Sequence, residues 1–150
     1  MTAIAENKKA YFNYEILETF EAGIELKGYE VKAIRSGRIN MAGAFATLKG
    51  EEVWLTNADI PPYQPKNTPA DYDSKRPRKL LLNKKEILYL IGKMHSDRLT
   101  LIPLKLYNKQ SKIKVLLGLG RGKRQYEKRE VIKKREASRE IRRTLKTIRG

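Results

Sequence analysis

The sequence predicts a small, mainly β protein that carries a few helices and a basic C-terminal tail. Short apolar runs rich in β-branched and aromatic residues recur across residues 11–119, separated by turn-forming residues. The charge follows a different pattern: residues 121–150 hold 13 Lys/Arg against 4 Glu, whereas residues 1–120 hold 20 Lys/Arg against 13 Asp/Glu. We therefore expect a folded body over residues 1–120, with a flexible N-terminus, and a basic tail over residues 121–150.

The first half of the body predicts strands around one short helix. Residues 14–20 and 24–26 favour two separate extended segments, and residues 30–35 favour a helix that Ser36-Gly37 can cap. Residues 45–48 and 53–55 predict a hairpin with its turn at residues 49–52. Five of the six prolines fall within residues 61–77, so this stretch is predicted to be a loop.

The second half predicts one helix and the two strongest strands. Asn83, with Glu86 three residues later, has the pattern of a capping box, and the helix buries the stripe Ile87, Leu90, Ile91 and Met94. Residues 99–107 and 113–119 predict strands joined by a loop at 108–111. Because short strands leave unpaired edges unless the sheet closes, we expect a small antiparallel barrel of the oligonucleotide-binding type, with about six strands and two or three helices.

The net charge of +16 points to a polyanionic partner. Nucleic acid is the leading candidate, and a membrane surface or an acidic protein is the alternative. The absence of cysteine excludes disulfides and thiolate metal sites. The N-terminus lacks the apolar core of a signal peptide and no segment is apolar enough to span a membrane, so we expect a cytoplasmic protein that does not bind membranes.

The sequence offers little material for catalysis. The single histidine, His95, ends a predicted amphipathic helix, where a surface position is the simpler interpretation. The segment 118–123 resembles a phosphate-binding loop, but Arg124 stands where a Ser or Thr would ligate magnesium. We interpret this segment as a flexible strand exit whose backbone can approach RNA phosphates. We expect no enzyme, metal or cofactor, although a small nuclease or RNA-modifying enzyme and a general RNA chaperone or ribosomal component remain as alternatives.

Two basic segments are candidates for RNA contact. Arg78 and Lys79 precede the predicted helix, where side-chain charge and backbone N–H groups can meet a phosphate. In the tail, Ala137, Ile141, Leu145 and Ile148 give about one apolar residue per turn, which is too thin a stripe to pack on a core. We expect the tail to be disordered when free and helical when bound to RNA. A coiled coil and a permanently disordered tail are the alternatives.

Four blocks of the sequence carry a family resemblance. They are NKKAYF with YEILETFEAGI over residues 7–24, LKGYEVKAIRSG over 26–37, RKLLLN over 78–83 and GKRQYEKR over 122–129. In this order they resemble the SsrA-binding protein (SmpB) family, whose members bind tmRNA, and the resemblance covers nearly the whole chain.

The resemblance implies an RNA-binding adaptor of trans-translation. Such a protein binds the tRNA-like domain of tmRNA, supports its alanylation by alanyl-tRNA synthetase and enters stalled ribosomes with tmRNA and elongation factor Tu. Its tail lies at the small-subunit rRNA of the decoding centre and in the empty mRNA channel, where it is helical. The ribosome then resumes on the tmRNA frame and tags the incomplete protein. We expect a monomer.

The resemblance also suggests which residues contact RNA. Family contact positions carry over to Glu21, Leu81 and Asn83. At residues 126–127 the chain has Tyr-Glu where many members have His-Asp, and an aromatic ring can still stack on a base. At residues 107–109 Tyr-Asn-Lys departs from a commoner turn, which we interpret as loop variation. The expected RNA-binding residues of the body are Asn7, Lys8, Lys9, Glu21, Arg78, Lys79, Leu81, Asn83, Lys123 and Arg124. The expected ribosome-binding residues of the tail are Tyr126, Lys128, Arg129, Lys133, Lys134, Arg135, Arg139, Arg142, Arg143 and Lys146.

Overall fold

The computed structural model describes residues 2–124, 128–129, 132–137 and 139 of the chain. These residues form one antiparallel sheet of seven strands with three short helices packed around it. The strands are β1 (Thr2–Glu6), β2 (Tyr14–Ile24), β3 (Phe45–Lys49), β4 (Glu52–Thr56), β5 (Arg78–Leu81), β6 (Thr100–Lys109) and β7 (Lys112–Gly122). The helices are α1 (Lys8–Asn13), α2 (Gly28–Arg35) and α3 (Lys84–Ser96), and a single 3₁₀ turn covers Pro65–Asn67.

Six of the strands form a near-ring. The sheet order is β1-β6-β3-β4-β5-β2-β7, and an additional pairing between β6 and β7 joins the two ends of the six-strand series. The contact between β3 and β6 is the narrowest, since only Ala46 and Leu101 are paired there. β1 lies outside the ring, against β6. The interior of the ring holds the main core, including Val53, Leu55, Leu101, Val115 and Leu117, each fully buried.

Two glycines allow β7 to pack closely against its neighbours. A Cβ atom at Gly120 would lie 2.7 Å from the backbone oxygen of Glu15, and one at Gly118 would lie 2.8 Å from a methyl group of Leu104. Both glycines are buried in regular strand pairing. The interpretation of residues 118–123 as a flexible strand exit is therefore wrong for its first half, because these glycines serve the packing of the sheet.

Several predicted elements are confirmed by the structure. The protein is mainly β and antiparallel with few helices, the hairpin of β3 and β4 is present, and α3 begins after Asn83 with a capping box. Residues 61–77 lie outside the strands and α-helices. Among the residues that the structure describes, no helix has the length and apolar character needed to cross a membrane.

Other boundaries differ from the prediction. One strand, β2, runs from Tyr14 to Ile24 through the gap predicted between residues 20 and 24, because Gly23 continues the pairing with both β5 and β7, and residues 25–26 of the second predicted segment lie outside it. The N-terminal residues expected to be flexible form β1 and α1. The predicted loop at 108–111 is a two-residue turn at Gln110 and Ser111, both with positive φ (52° and 65°), which matches the twist of the flanking strands.

Candidate RNA-binding surfaces

The structure divides the expected contact residues of the body between two ends of the ring. We call one the Glu21 end, which comprises Glu21, Leu81, Asn83 and the β6–β7 turn. We call the other the tail end, which comprises residues 7–14 and 122–124. β2 and β7 connect the two ends, since Tyr14 pairs with Gly122 while Gly23 pairs with Lys114. Tyr14 and Glu21 pair with Gly122 and Leu116, and six residue steps of β7 at about 3.3 Å each separate the ends by roughly 20 Å.

At the Glu21 end, strand β6 holds the Glu21 carboxylate in place. The hydroxyl of Tyr107 donates to Oε2 at 2.5 Å, and Nζ of Lys109 donates to Oε1 at 3.2 Å. The hydrogen bonds from Tyr107 and Lys109, with the nearby charges of Lys109 and Lys114, lower the pKa of Glu21 below its usual value. Burial and the bond to Glu21 raise the pKa of Tyr107. Glu21 is thus a fixed, ionised acceptor with about a third of its side chain exposed.

Sequence reasoning missed the contacts of Tyr107 and Lys109 with Glu21, since it placed Tyr107 at the end of a strand and Lys109 in the following loop. They lie 86 and 88 residues from Glu21 along the chain and meet it only through the sheet. The interpretation of residues 107–109 as loop variation is wrong, because all three belong to β6.

Leu81 and Asn83 lie beside Glu21 because β5 runs antiparallel to β2. Leu81 pairs with Gly23 and is 47% exposed, so it offers an apolar surface on β5, across β2 from the β6 residues that hold the Glu21 carboxylate. Because the two strands are antiparallel, the chain after Leu81 runs toward the lower-numbered residues of β2, so Asn83, two residues later, lies on the Glu21 side of Gly23. Its Oδ1 accepts the N–H of Glu86 at 2.8 Å, which caps α3. The cap uses only the oxygen, so the amide NH₂ is the part of this side chain that can donate to RNA.

Arg78 has a structural role instead of the expected RNA contact. Its guanidinium is fully buried and donates to Oε2 of Glu30 at 2.6 and 2.9 Å and to the carbonyl of Ala58 at 2.8 Å. Arg76 donates to the same carboxylate, and Tyr72 donates to it at 3.1 Å. With no exposed surface, Arg78 cannot reach a phosphate, and we remove it from the expected contacts.

The Glu30 carboxylate sets the protonation of this network. Burial by itself would raise the pKa of Glu30, but hydrogen bonds from Arg76, the Lys27 N–H and Arg78 outweigh burial and lower it. Burial and the neighbouring Glu30 raise the pKa of Tyr72 to about 12. The network therefore keeps a charged carboxylate inside the protein and joins α2, the proline-rich loop and β5.

Lys79 alternates with Arg78 on β5 and lies on the outer face of the sheet. It is half-buried and its ammonium lies 2.8 Å from the Glu52 carboxylate, which raises its pKa. It pairs in the sheet with Trp54, away from the Leu81–Gly23 pair. Lys79 can still reach solvent, but part of its charge is neutralised by Glu52.

The tail end collects the other basic candidates of the body. Lys8 and Lys9 are exposed on α1, and Arg124 is exposed after β7. Lys123 bridges the two segments, because its N–H donates to the Asn13 carbonyl at 2.8 Å and its ammonium donates to the Tyr11 carbonyl at 3.0 Å. Asn7 is buried, and its amide donates to two backbone carbonyls, so its expected RNA contact is corrected to a structural role.

The described part of the tail is helical and lies against α1. Residues 128–129, 132–137 and 139 are helical, and the Arg135 guanidinium lies 5.9 Å from the centre of the Phe12 ring. The side chains of Arg129, Lys133, Lys134, Arg135 and Arg139 are exposed, and that of Lys128 is partly buried. The expected contacts Tyr126, Arg142, Arg143 and Lys146 lie outside the described residues.

The arrangement does not resemble an enzyme centre. Among the described residues, no group of three or more His, Asp or Glu side chains is placed to hold a metal ion. His95 is exposed at the end of α3. The fold and the two ends define a small β protein that recognises a polyanion. One end presents a fixed acceptor and a donor, and the other presents exposed lysine and arginine side chains.

Comparison with known proteins identifies the family. The family model described as SmpB protein matches residues 4–147. The SsrA-binding protein of Carboxydothermus hydrogenoformans is 52% identical over 143 residues, which cover 95% of this chain and 95% of the relative. That of Synechococcus elongatus is 50% identical, covering 95% and 93%. A solved structure described as "tmRNA-SmpB: a journey to the center of the bacterial ribosome" is 47% identical, with a TM-score of 0.67, covering 87% of this chain and 94% of that one. The chain belongs to the SmpB family, and it is a non-enzymatic protein.

Proposed function

We propose that this protein binds tmRNA and brings it to stalled ribosomes for trans-translation. Family membership over nearly the whole chain supports the activity itself. The observation that carries the mechanism is the separation of two contact surfaces along β2 and β7. A protein with one surface for each of two RNA partners can act as an adaptor without any chemistry of its own. As a translation factor, it works in the cytoplasm.

The Glu21 end is the proposed surface for the tRNA-like domain of tmRNA. Glu21 is an ionised acceptor, the Asn83 amide is a donor and the exposed Leu81 supplies an apolar contact at the same end of the ring. Acceptors and donors of this kind read base edges and 2′-hydroxyls, while Lys109, Lys112 and Lys114 nearby can neutralise phosphates. We interpret the six-strand ring as a closed barrel of the oligonucleotide-binding type, which presents this surface.

The tail end and the tail are the proposed surface for the ribosome. Lys8, Lys9, Lys123 and Arg124 lie where the chain leaves the ring, so the tail starts from a basic surface. We propose that residues 121–150 form a separate unit that reaches the decoding centre and the empty mRNA channel. In the free protein only contacts such as that of Arg135 with Phe12 of α1 support the described helical residues of the tail, and the proposed role of the ribosome is to stabilise the helix further, since an isolated helix with one apolar residue per turn is marginal in water.

The remaining partners act through tmRNA. Alanyl-tRNA synthetase charges the tRNA-like domain, and elongation factor Tu carries the charged complex to the ribosome together with this protein. The protein acts as a monomer in this scheme, because its two ends serve different RNA partners.

Sequencing of the RNA that copurifies with the protein tests this function. The tagged full chain is isolated from cells, and a Glu21→Gln, Asn83→Asp double variant is the matched control because both changes nearly preserve side-chain size. We expect tmRNA to be enriched over tRNA and ribosomal RNA fragments, and enrichment to fall for the variant. Equal recovery of all structured RNAs would instead indicate a general RNA chaperone and contradict the proposal.

A further inference from the structure

A cleft at the tail end combines positive charge with exposed aromatic surface. It has a volume of about 410 Å³ and lies between α1, the residues before β3 and the end of β7. This is within the roughly 300–1,000 Å³ of typical ligand-binding clefts. The lysines Lys9, Lys123 and Lys128 line it, and none of the described residues that line it carries a carboxylate. An anion in the cleft would therefore meet only attractive side-chain charges.

One wall of the cleft is aromatic. Phe45, the first residue of β3, is 38% exposed although its neighbours Ala44 and Ala46 are buried, and Tyr14 faces the same cleft from the start of β2. Covering an exposed aromatic ring with a flat apolar ligand removes apolar surface from water, which is favourable. Phe45 thus offers a flat apolar surface inside a cleft that is lined by lysines.

The walls are fixed by buried hydrogen bonds. The Asn7 amide donates to the carbonyl of Met41 at 3.2 Å and to that of Pro103 at 2.9 Å. The N–H of Ala44 donates to Met41 at 2.9 Å, which closes the turn that leads to Phe45. The buried Asn7 side chain therefore holds the loop before β3 against β6. As a result, the cleft is already formed when no ligand is bound.

We propose that this cleft binds one unstacked RNA nucleotide, whose base stacks on Phe45 beside Tyr14 and whose phosphate meets Lys9, Lys123 and Lys128. Bases in a duplex do not present their faces, so the ligand comes from a loop, a bulge or a single-stranded stretch. Under the proposed function, on which this inference rests, two sources carry this chemistry: an unpaired nucleotide of small-subunit ribosomal RNA and one of tmRNA outside its tRNA-like domain.

Photocrosslinking identifies the nucleotide and its source. Phe45 is replaced by p-benzoylphenylalanine in the full chain, and Leu88, which is 51% exposed on α3 and outside the cleft, is replaced in a control. Complexes of each variant with tmRNA and stalled ribosomes are irradiated, and crosslinks are mapped by primer extension on both RNAs. We expect one discrete crosslinked nucleotide for position 45, on ribosomal RNA or on tmRNA, and none at that nucleotide for position 88.

Substitution gives a second, independent readout. Base stacking on an aromatic side chain contributes a factor of about ten in binding or more, so Phe45→Ala should lower peptide tagging about tenfold while Phe45→Trp retains it. The gel shift of the isolated tRNA-like domain should stay unchanged, because the Glu21 end is intact and both proposed sources of the nucleotide lie outside that domain. If Phe45→Ala fails to fold, the crosslinking variant, which keeps an aromatic ring at position 45, still tests whether the cleft binds a nucleotide.

The possible results distinguish failure of the nucleotide-site proposal from failure of the proposed function. Crosslinks from position 45 to protein alone, or to RNA no better than from position 88, would overturn the nucleotide site while the wild-type protein still supports tagging. If the wild-type protein neither shifts tmRNA nor supports tagging, the proposed function fails with it.

Discussion

The Glu21 carboxylate has the same sign of charge as an RNA phosphate, and the structure fixes its position before RNA binds. A free carboxylate on a basic protein changes rotamer and competes for any cation, whereas this one is held by a tyrosine hydroxyl and a lysine. Fixing the acceptor before binding reduces the conformational entropy that recognition would otherwise cost. Tyr107 is therefore a positioning residue for the proposed contact.

Replacing Tyr107 by phenylalanine should raise the pKa of Glu21 toward its ordinary value. The reason is that the Tyr107 hydrogen bond is the largest influence that lowers this pKa, and Lys109 remains. A pH titration of the Glu21 carboxyl carbon by NMR measures the change. Tyr89→Phe is the matched control, because it removes an equivalent hydrogen bond to Glu18 and should leave Glu21 unaffected. An unchanged Glu21 titration in Tyr107→Phe would contradict the assigned contact.

Asn83 has two roles that substitutions can separate. Asn83→Ala removes the helix cap and should destabilise the protein by about 1 kcal/mol, which exceeds the effect expected of an ordinary surface change. Asn83→Asp retains a capping oxygen and loses the NH₂ donor, so it should melt like the wild type yet bind tmRNA more weakly. Thermal melts beside gel shifts measure both. Wild-type affinity of Asn83→Asp would restrict Asn83 to capping.

At the scale of elements, the buried Glu30 network connects parts that are far apart along the chain. α2, the loop of residues 61–77 and β5 meet at one carboxylate. Glu30→Gln should destabilise the protein by about 3 kcal/mol, because two guanidinium groups then lose their counter-charge. Chemical unfolding measures this, with the exposed Glu25→Gln as control. A loss below 1 kcal/mol would show that the network is not structurally important.

The same network predicts the direction of the pH dependence. The pKa of Glu30 is lower in the folded protein than in the unfolded chain. Its stabilising contribution is therefore complete above the ordinary carboxyl pKa and is lost as the pH falls through the folded value. Glu30→Gln should flatten this part of the acid unfolding curve.

The elements that sequence predicts well are those whose signals are local. The hairpin of β3 and β4 has strands separated by a short polar turn, and the α3 cap needs only Asn83 and Glu86. β5 was missed because four residues give no periodicity of their own, and its pairing partners lie on both sides in the ring. The Arg78–Glu30 pair joins residues 48 apart, so sequence alone favoured a phosphate for a charge that the fold buries.

The candidate site was predictable to a similar extent. Glu21, Leu81 and Asn83 came from family motifs, and the structure brings them to one end of the ring. What the sequence did not indicate was the division into two ends, because it depends on the register of β2 with β7. Phe45 also gave no signal, since an aromatic residue opening a strand is typical of a core position.

At the scale of the whole molecule, the tail should be dispensable for tmRNA binding and required for rescue. Deleting residues 131–150 removes 8 Lys/Arg and 2 Glu, a net of +6, and leaves every strand and the Glu21 end. We expect tmRNA affinity to weaken with a shallower dependence on salt, because fewer counterions are released, but RNA preference to persist. Peptide tagging should be lost. Gel shifts over a salt series beside a tagging assay measure both, and normal tagging would contradict the proposed role of the tail.

The paired strands β2 and β7, eleven residues each, also act as a ruler. A sheet resists stretching far more than a loop does. The number of residues in β2 and β7 therefore fixes the distance between the two ends. In regular pairing the length changes in steps of two residues, about 6.6 Å, because a single added residue reverses which side chains face inward. A single residue can be added only where a β-bulge absorbs it, as the register shift between Ile16 and Glu18 of β2 does. Substitutions at either end can therefore change which RNA groups are contacted, whereas the distance between the two ends changes only with the number of residues in β2 and β7.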